Sequence, residues 1–113
     1  MTALDAVGNP VRRQILRLLR DEPRSVGELS RELPRISRPA VSRHLRVLGE
    51  ARLVSHTPAG TRNVYALDPA GFEDLRAFFE DFWDAVLPRY ALVAENLADD
   101  DDDDDDDDDE DIS

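Results

Sequence analysis

The sequence predicts a mainly α-helical fold that carries one small β-hairpin. Apolar residues recur at helical spacing along most of the chain, and capping residues or prolines stand where those runs begin. One turn sequence, Pro58-Ala59-Gly60, separates two runs of strand-like composition. At 113 residues the chain has room for a single domain, which we place at residues 1–94.

The predicted helices begin at recognisable start signals. Asn9 followed by Pro10 starts the second helix, and Ser25 with Glu28 has the S-x-x-E spacing of a capping box at the start of the third. Ser37 caps the fourth helix. The third and fourth helices are short and closely connected, as in a helix-turn-helix unit. The predicted helices cover residues 3–7, 10–22, 25–33, 37–50 and 69–97.

A β-hairpin is predicted after the helix-turn-helix unit. Its strands are the runs over residues 53–57 and 62–67, which are rich in β-branched and aromatic residues. A helix-turn-helix unit followed by such a hairpin, or wing, has the element order of a winged helix-turn-helix fold. In the helix that follows the wing, Pro88 is expected to kink or end the regular structure near Val86.

The last predicted helix is rich in aromatic residues. Six of the chain's seven aromatic residues lie between Phe72 and Tyr90, which is more apolar surface than one helix can bury on a body of this size. Either a second copy of the chain or a cofactor pocket must cover it, and we expect a dimer core. Its apolar positions have a spacing close to that of a heptad repeat. They are Phe72, Leu75, Phe79, Phe82, Val86, Tyr90, Val93 and Leu97.

The fourth predicted helix has an apolar side and a polar side. The polar stripe repeats every four residues at Arg38, Ser42 and Arg46, with Pro39 and Arg43 beside it. Such a helix can present guanidinium and hydroxyl groups to the major groove of DNA, where arginine bonds guanine bidentately. The alternative is a merely solvated helix face, but the hairpin that follows favours DNA binding. The apolar stripe comprises Val41, Leu45 and Leu48.

Charge is divided unevenly along the chain. Between Arg12 and Arg62 there are 12 arginines and five acidic residues, a net charge of +7, although the whole chain carries −12. Residues 99–111 are all acidic, so we expect residues 95–113 to form a disordered acidic tail. This tail leaves a second function class open: a protein-interaction module on the same scaffold, with the tail imitating the charge of DNA.

Four segments resemble the ArsR/SmtB-type winged helix-turn-helix transcriptional regulators. The resemblance covers roughly residues 3–94, and the segment that begins at Ser37 is its most specific part. It implies a homodimeric repressor whose first and last helices form the interface, with the fourth helices in successive major grooves of an imperfect palindrome. The matching segments are Asn9-Pro-Val-Arg-Arg-Gln-Ile-Leu-Arg-Leu-Leu, Ser25-Val-Gly-Glu-Leu, Ser37-Arg-Pro-Ala-Val-Ser-Arg-His-Leu-Arg-Val-Leu and Tyr65-Ala-Leu-Asp-Pro.

The resemblance also implies roles for individual residues. The implied base-reading residues are Arg38, Ser42 and Arg43, with Pro39 beside them. The implied phosphate contacts are Ser37, Arg46 and the wing residue Arg62. The dimer interface is expected to contain Phe72, Leu75, Phe79, Phe82, Trp83 and Val86.

The chain departs from the metal-sensing members of that family. It contains no cysteine, and the last predicted helix has acidic residues but no histidine. Because carboxylates alone suit hard ions better than transition metals, we expect no metal and no cofactor. The aromatic last helix, with Trp83, resembles the subgroup that lacks a metal site, and a small-molecule effector is left open.

The remaining candidates for chemistry are few. His44 is expected either to touch a phosphate or to be partly buried against the wing, and His56 to be a surface or packing residue of a strand. No pair of nucleophile and base and no glycine-rich phosphate loop can be assembled, so we do not expect an enzyme. With no signal sequence and no apolar run of spanning length, we expect a cytoplasmic protein with DNA, and not a membrane, as its partner.

Overall fold

The chain folds into the predicted order of helices and hairpin. A computed structural model describes the backbone of residues 1–100 and the side chains of residues 1–89 and Leu97. Among the described residues, no helix has both the length and the apolar character needed to cross a membrane. The elements are α1 (Ala3–Ala6), α2 (Pro10–Asp21), β1 (Arg24–Ser25), α3 (Val26–Glu32), α4 (Arg38–Glu50), β2 (Val54–Ala59), β3 (Arg62–Leu67) and α5 (Pro69–Asp100).

The helix starts use the predicted capping residues. The Asn9 side chain accepts hydrogen bonds from the backbone N–H groups of Val11 and Arg12, at 2.8 and 3.1 Å. Ser25 and Glu28 form both hydrogen bonds of the capping box. These contacts satisfy backbone donors that have no partner inside their own helix, which explains why the helices begin at these residues.

The sheet has three antiparallel strands in the order β1-β3-β2. The predicted hairpin, β2 and β3, is confirmed. Pro58 and Ala59, which the sequence predicts in the turn, lie in β2, and the last pair, Ala59 with Arg62, leaves a two-residue turn. Gly60 in that turn has φ 68°, the positive value that the favoured two-residue turns require. The sequence does not predict β1, because two residues are too short to show strand alternation. The fold is thus a winged helix-turn-helix with a third short strand on the wing.

The hydrophobic core lies within Met1–Ala77, a compact unit that we call the body. It contains the apolar stripe predicted for α4 and receives side chains from each helix of the body. Phe72 and Leu75 at the start of α5 pack against it. Both are predicted dimer residues, but part of the surface of each side chain is buried against the core of its own chain. The largest fully buried side chains are Ile15, Leu29, Val41, Leu45, Leu48 and Leu53.

The end of α4 and the start of α5 meet in close backbone contact. Arg52 has φ 62°, and the N–H groups of Arg52 and Leu53 bond to the carbonyls of Gly49 and Leu48 at 3.0 and 2.9 Å. This is the hydrogen-bond pattern of a Schellman motif, which ends α4. The Gly71 N–H then donates to the Arg52 carbonyl at 2.7 Å. The base of α5 is therefore tied to the end of α4.

α5 is longer than the sequence predicts. It continues through Pro88 and does not end near Val86, and the alternative, a kink at this position, stays a prediction. It also runs to Asp100, three residues beyond the predicted end of the helix at residue 97 and inside the segment expected to be the acidic tail. The helix thus crosses the expected boundary at residue 94. The rest of the expected tail, residues 101–113, and the side chains of Tyr90 and Val93 lie outside the described residues.

Replacing Gly71 by alanine should destabilise the fold. The new Cβ would lie 2.6 Å from the Arg52 carbonyl oxygen and 2.7 Å from that of Ala51, so α5 must shift. We expect a loss of about 1–3 kcal/mol in the free energy of unfolding, measured by urea denaturation. The matched control is Gly49→Ala, where the nearest neighbour of the new Cβ is the Val54 carbonyl oxygen at 4.0 Å. Equal stability of the two variants would contradict the close contact.

Candidate nucleic-acid interface

α4 begins at Ser37. The Ser37 hydroxyl oxygen accepts a hydrogen bond from the Ala40 N–H at 3.2 Å, and the Ser37 carbonyl accepts one from Val41 at 3.0 Å. Pro39 lies in the first turn, where a missing N–H costs no helical hydrogen bond. The predicted cap is confirmed. Because the cap uses Ser37 as an acceptor, its O–H remains able to donate to a phosphate oxygen.

Burial of one side of α4 exposes the residues that the sequence selects. Val41, Leu45 and Leu48 are at most 1% exposed. With about 100° of rotation per residue, the five predicted DNA-facing positions of the helix fall within an arc of about 140° that contains none of the three buried residues. All five are exposed, as are Ser37 and Arg62. The five positions are Arg38, Pro39, Ser42, Arg43 and Arg46.

The Arg38 side chain lies over Gly27 of α3. A Cβ at Gly27 would be 3.5 to 3.7 Å from the atoms of the Arg38 guanidinium group. These are ordinary van der Waals distances, so the Arg38 guanidinium group packs beside α3 at this position. From the sequence, Gly27 is only an internal position of the capping box, and its contact with the α4 stripe is visible only in the folded chain.

The wing brings Arg62 into electrostatic range of α3. Arg62 begins β3, directly after the turn, as the sequence predicts. The pKa of Glu28 is lowered, mainly by the hydrogen bond from the Ser25 backbone and further by the charges of Arg62 and Arg31. Arg62 thus lies near the start of α3 and is exposed to solvent.

His44 is partly buried, and its neighbour is α2. Arg12 of α2 approaches the His44 ring, with 3.4 Å between Nη1 and Nδ1. The expected partial burial is confirmed, but the contact is not with the wing, because His44 lies on the flank of α4 that faces α2. The pKa of His44 is lowered by burial first and then by the charges of Arg12 and Arg43. The neutral ring is therefore favoured, and its contribution to stability is lost as the pH falls below the ordinary histidine pKa of about 6.5.

A cleft of about 730 Å³ separates α4 from the wing. Ser42 and Arg46 of the polar stripe line it on the helix side. On the wing side lie His56 and Tyr65, whose ring centroids are 5.2 Å apart, so His56 is a packing residue of the strand as expected. Among the residues that the structure describes, no group of three or more potential metal ligands lies together.

Comparison with known proteins decides the family of this chain. Residues 9–56 match the family described as "Bacterial regulatory protein, arsR family". The HTH-type transcriptional regulator Rv2034 of Mycobacterium tuberculosis is 49% identical over 98 residues, which are 87% of this chain and 91% of that protein. The chain belongs to the arsR family. The resemblance stated from the sequence is confirmed, and with it a transcriptional regulator whose relatives bind double-stranded DNA.

Further relatives agree with the arsR fold. The transcriptional repressor SdpR of Bacillus subtilis is 32% identical over 69 residues, which are 61% of this chain and 76% of SdpR. The crystal structure of a possible transcriptional regulator for arsenical resistance has a TM-score of 0.69 and 41% identity. That match covers 84% of this arsR-family chain and 96% of the other. The winged helix-turn-helix fold is thereby confirmed.

Variants of Ser37 should separate its capping role from a phosphate contact. Ser37→Ala should lower the free energy of unfolding by about 1 kcal/mol, because the Ala40 N–H loses its acceptor. Ser37→Asp should keep the cap and the stability but weaken DNA binding, because its charge repels phosphate. Urea denaturation and gel shifts measure the two effects. Unchanged DNA affinity of Ser37→Asp would place Ser37 away from the phosphates.

Proposed function

We propose that this protein is a homodimeric repressor that reads an imperfect palindrome in double-stranded DNA. The observation that carries the proposal is the exposed side of α4, where guanidinium and hydroxyl groups lie outside the fully buried apolar stripe. A helix seated in this way fits the major groove, which is wide enough to admit it. SdpR, a relative of this chain, is named a transcriptional repressor, and this supports repression.

Different residues would read bases and hold the DNA backbone. Arg38, Ser42 and Arg43 lie in the first half of α4, and in helix-turn-helix proteins the N-terminal residues of the recognition helix contact base edges. Arg46 lies further along the helix and lines the cleft beside the wing. A DNA strand between a major and a minor groove would pass this cleft, so Arg46 and the wing residue Arg62 would hold phosphates.

The dimer would be formed by the apolar surface of α5, together with α1 in the arrangement that the family implies. Four predicted interface residues are between 44 and 59% exposed, and Phe78 and Leu87 add to this surface. Large apolar side chains concentrated on one helix favour association over solvation. The four residues are Phe79, Phe82, Trp83 and Val86.

The proposal contains no enzymatic activity, metal or cofactor. The relatives are named as transcriptional regulators, and the exposed residues of α4 are of the types that contact DNA in other proteins. We place the protein in the cytoplasm, where an operator would be accessible. The chemistry of a small-molecule effector does not enter the proposal.

Selection of bound duplexes from a random pool tests the proposal and its residue roles. Arg38→Ala or Arg43→Ala should cost about 1–3 kcal/mol on the selected site and flatten the sequence preference. Arg62→Ala should weaken binding to all sequences alike and reduce its salt dependence. Gel shifts with the selected duplex and a scrambled duplex measure both effects.

Two outcomes would contradict this assignment. Uniform losses across sequences for all three variants would remove the distinction between base-reading and phosphate-holding residues. If the wild-type protein enriched no sequence and bound no duplex from its own upstream region, the chain would be better explained as a protein-interaction module.

Phe79→Asp should dissociate the dimer. A buried carboxylate on the apolar surface of α5 would lack a partner in the interface, so the dimer should be lost at micromolar concentration. Sedimentation measures the change, and Asp81→Ala on the same helix is the control. The wild-type dimer should bind half-sites whose centres are about 34–36 Å apart, or a multiple of that distance. A folded wild-type monomer in the sedimentation experiment would refute the interface.

A further inference from the structure

We propose that Arg12 is a positioning residue for α4. It acts through its contact with His44, and this contact is lost when the His44 ring takes up a proton. The proposal rests on the proposed function in one respect, namely that α4 is the helix that reads DNA. Neither Arg12 nor His44 belongs to the DNA-facing stripe, so their effect on binding would be indirect.

The Arg12 guanidinium joins three helices. Its Nε donates to the Ala6 carbonyl at the end of α1, at 2.8 Å. Its Nη1 lies 3.4 Å from Nδ1 of His44, at the long end of the hydrogen-bond range. Arg12 itself is anchored at the start of α2, where its N–H bonds to the Asn9 side chain. One partly buried side chain thus connects α1 and α2 to the middle of α4.

The contact requires a neutral His44 ring. A guanidinium group only donates hydrogen bonds, so Nδ1 must present its lone pair, with the ring proton on Nε2. Protonation would place an N–H at Nδ1, opposite another donor and beside a positive charge. The charged groups that act on the ring are Arg12 from α2 and Arg43 from α4, both cationic. Among the described residues, α1, α3 and β2 also pack on α4 but add no charge that shifts its titration.

The connection bears on DNA reading because base recognition depends on the placement of α4. Bidentate contacts to a base tolerate small displacements of the arginine poorly, whereas phosphate attraction is less directional. Loosening α4 should therefore reduce the discrimination between sequences more than it reduces affinity for DNA in general. Protonation adds positive charge and strengthens nonspecific binding, so the ratio of the two affinities is the informative quantity.

Arg13 supplies a matched control. Its Nη1 donates to the Val7 carbonyl at 2.8 Å, next to the carbonyl that Arg12 uses. It therefore makes the same kind of bond to the end of α1 and has the same charge, but the charges that act on the His44 ring are those of Arg12 and Arg43. Arg12→Gln and Arg13→Gln remove equal charge from adjacent positions of α2, and only the first removes a group next to α4.

The first measurement uses DNA-free protein. In a His56→Gln background the imidazole ring signals in NMR come from His44 alone, because the chain has two histidines. Arg12→Gln should move the pKa of His44 up toward its ordinary value, and Arg13→Gln should change it much less. Equal shifts in the two variants would overturn the Arg12–His44 link, whatever the DNA results.

The second measurement is the ratio of affinities for the selected duplex and a scrambled duplex of equal composition. In the wild type this ratio should fall about tenfold from about pH 7.5 to a pH below the lowered pKa of His44, as the NMR titration locates it. His44→Asn places an amide oxygen near the position of Nδ1 without a titrating group, so its ratio should be nearly independent of pH. Arg12→Gln should have a low ratio at both pH values, and Arg13→Gln should follow the wild type.

These results separate positioning from a general loss of structure. Parallel pH profiles of the wild type and His44→Asn, or equal losses in Arg12→Gln and Arg13→Gln, would overturn the proposal. Thermal unfolding of each variant shows whether it is folded under the binding conditions, and Arg12→Lys retains the charge if Arg12→Gln is unfolded. A wild type without sequence preference at about pH 7.5 would contradict the proposed function instead, and the NMR titration would still decide the link.

Discussion

Burial of one side of α4 is the constraint on which the rest of the structure depends. Val41, Leu45 and Leu48 are essentially inaccessible to solvent. Each such side chain contributes roughly 1.5–3 kcal/mol by its removal from water, a large share of the stability of a small domain. Turning the helix about its axis would expose them and bury arginines, which is unfavourable on both counts. The direction of the polar stripe is therefore set by the core.

The elements around α4 fix its remaining freedom. Ser37 ends the connection from α3 and caps the helix, while the close contact between Arg52 and Gly71 closes its other end against α5. On its flank, Arg12 reaches the helix from α2. The polar stripe thus lies on a helix that is held at both ends and along one side. Such a support suits recognition that depends on the placement of a few side chains.

The features that the proposed function needs lie in different parts of the sequence. The basic segment from Arg12 to Arg62 contains α4 and the wing as far as the first residue of β3, and its net charge of +7 suits a polyanion. The exposed aromatic residues come later, in α5, where the charged residues between them are mostly acidic. Attraction to DNA therefore rests on charge, which salt screens, whereas association with a second copy rests on the burial of apolar side chains, which is not screened by salt. The family relation supports joining them in one protein.

The sequence by itself determined the helices, their caps, the hairpin and the exposed stripe of α4. The helices, caps and stripe depend on residues within about four positions of each other, and the hairpin depends on a short turn between two strand-like runs. The tertiary structure alone decided the pairing of β1 with β3, the contact of Arg12 with His44 across 32 positions, and the packing of Phe72 against the core. In the apolar pattern of α5, a residue that packs on its own chain and one that faces solvent have the same spacing. Only the approach of distant segments distinguishes them, because burial depends on what lies opposite a side chain and not on its place in the helix.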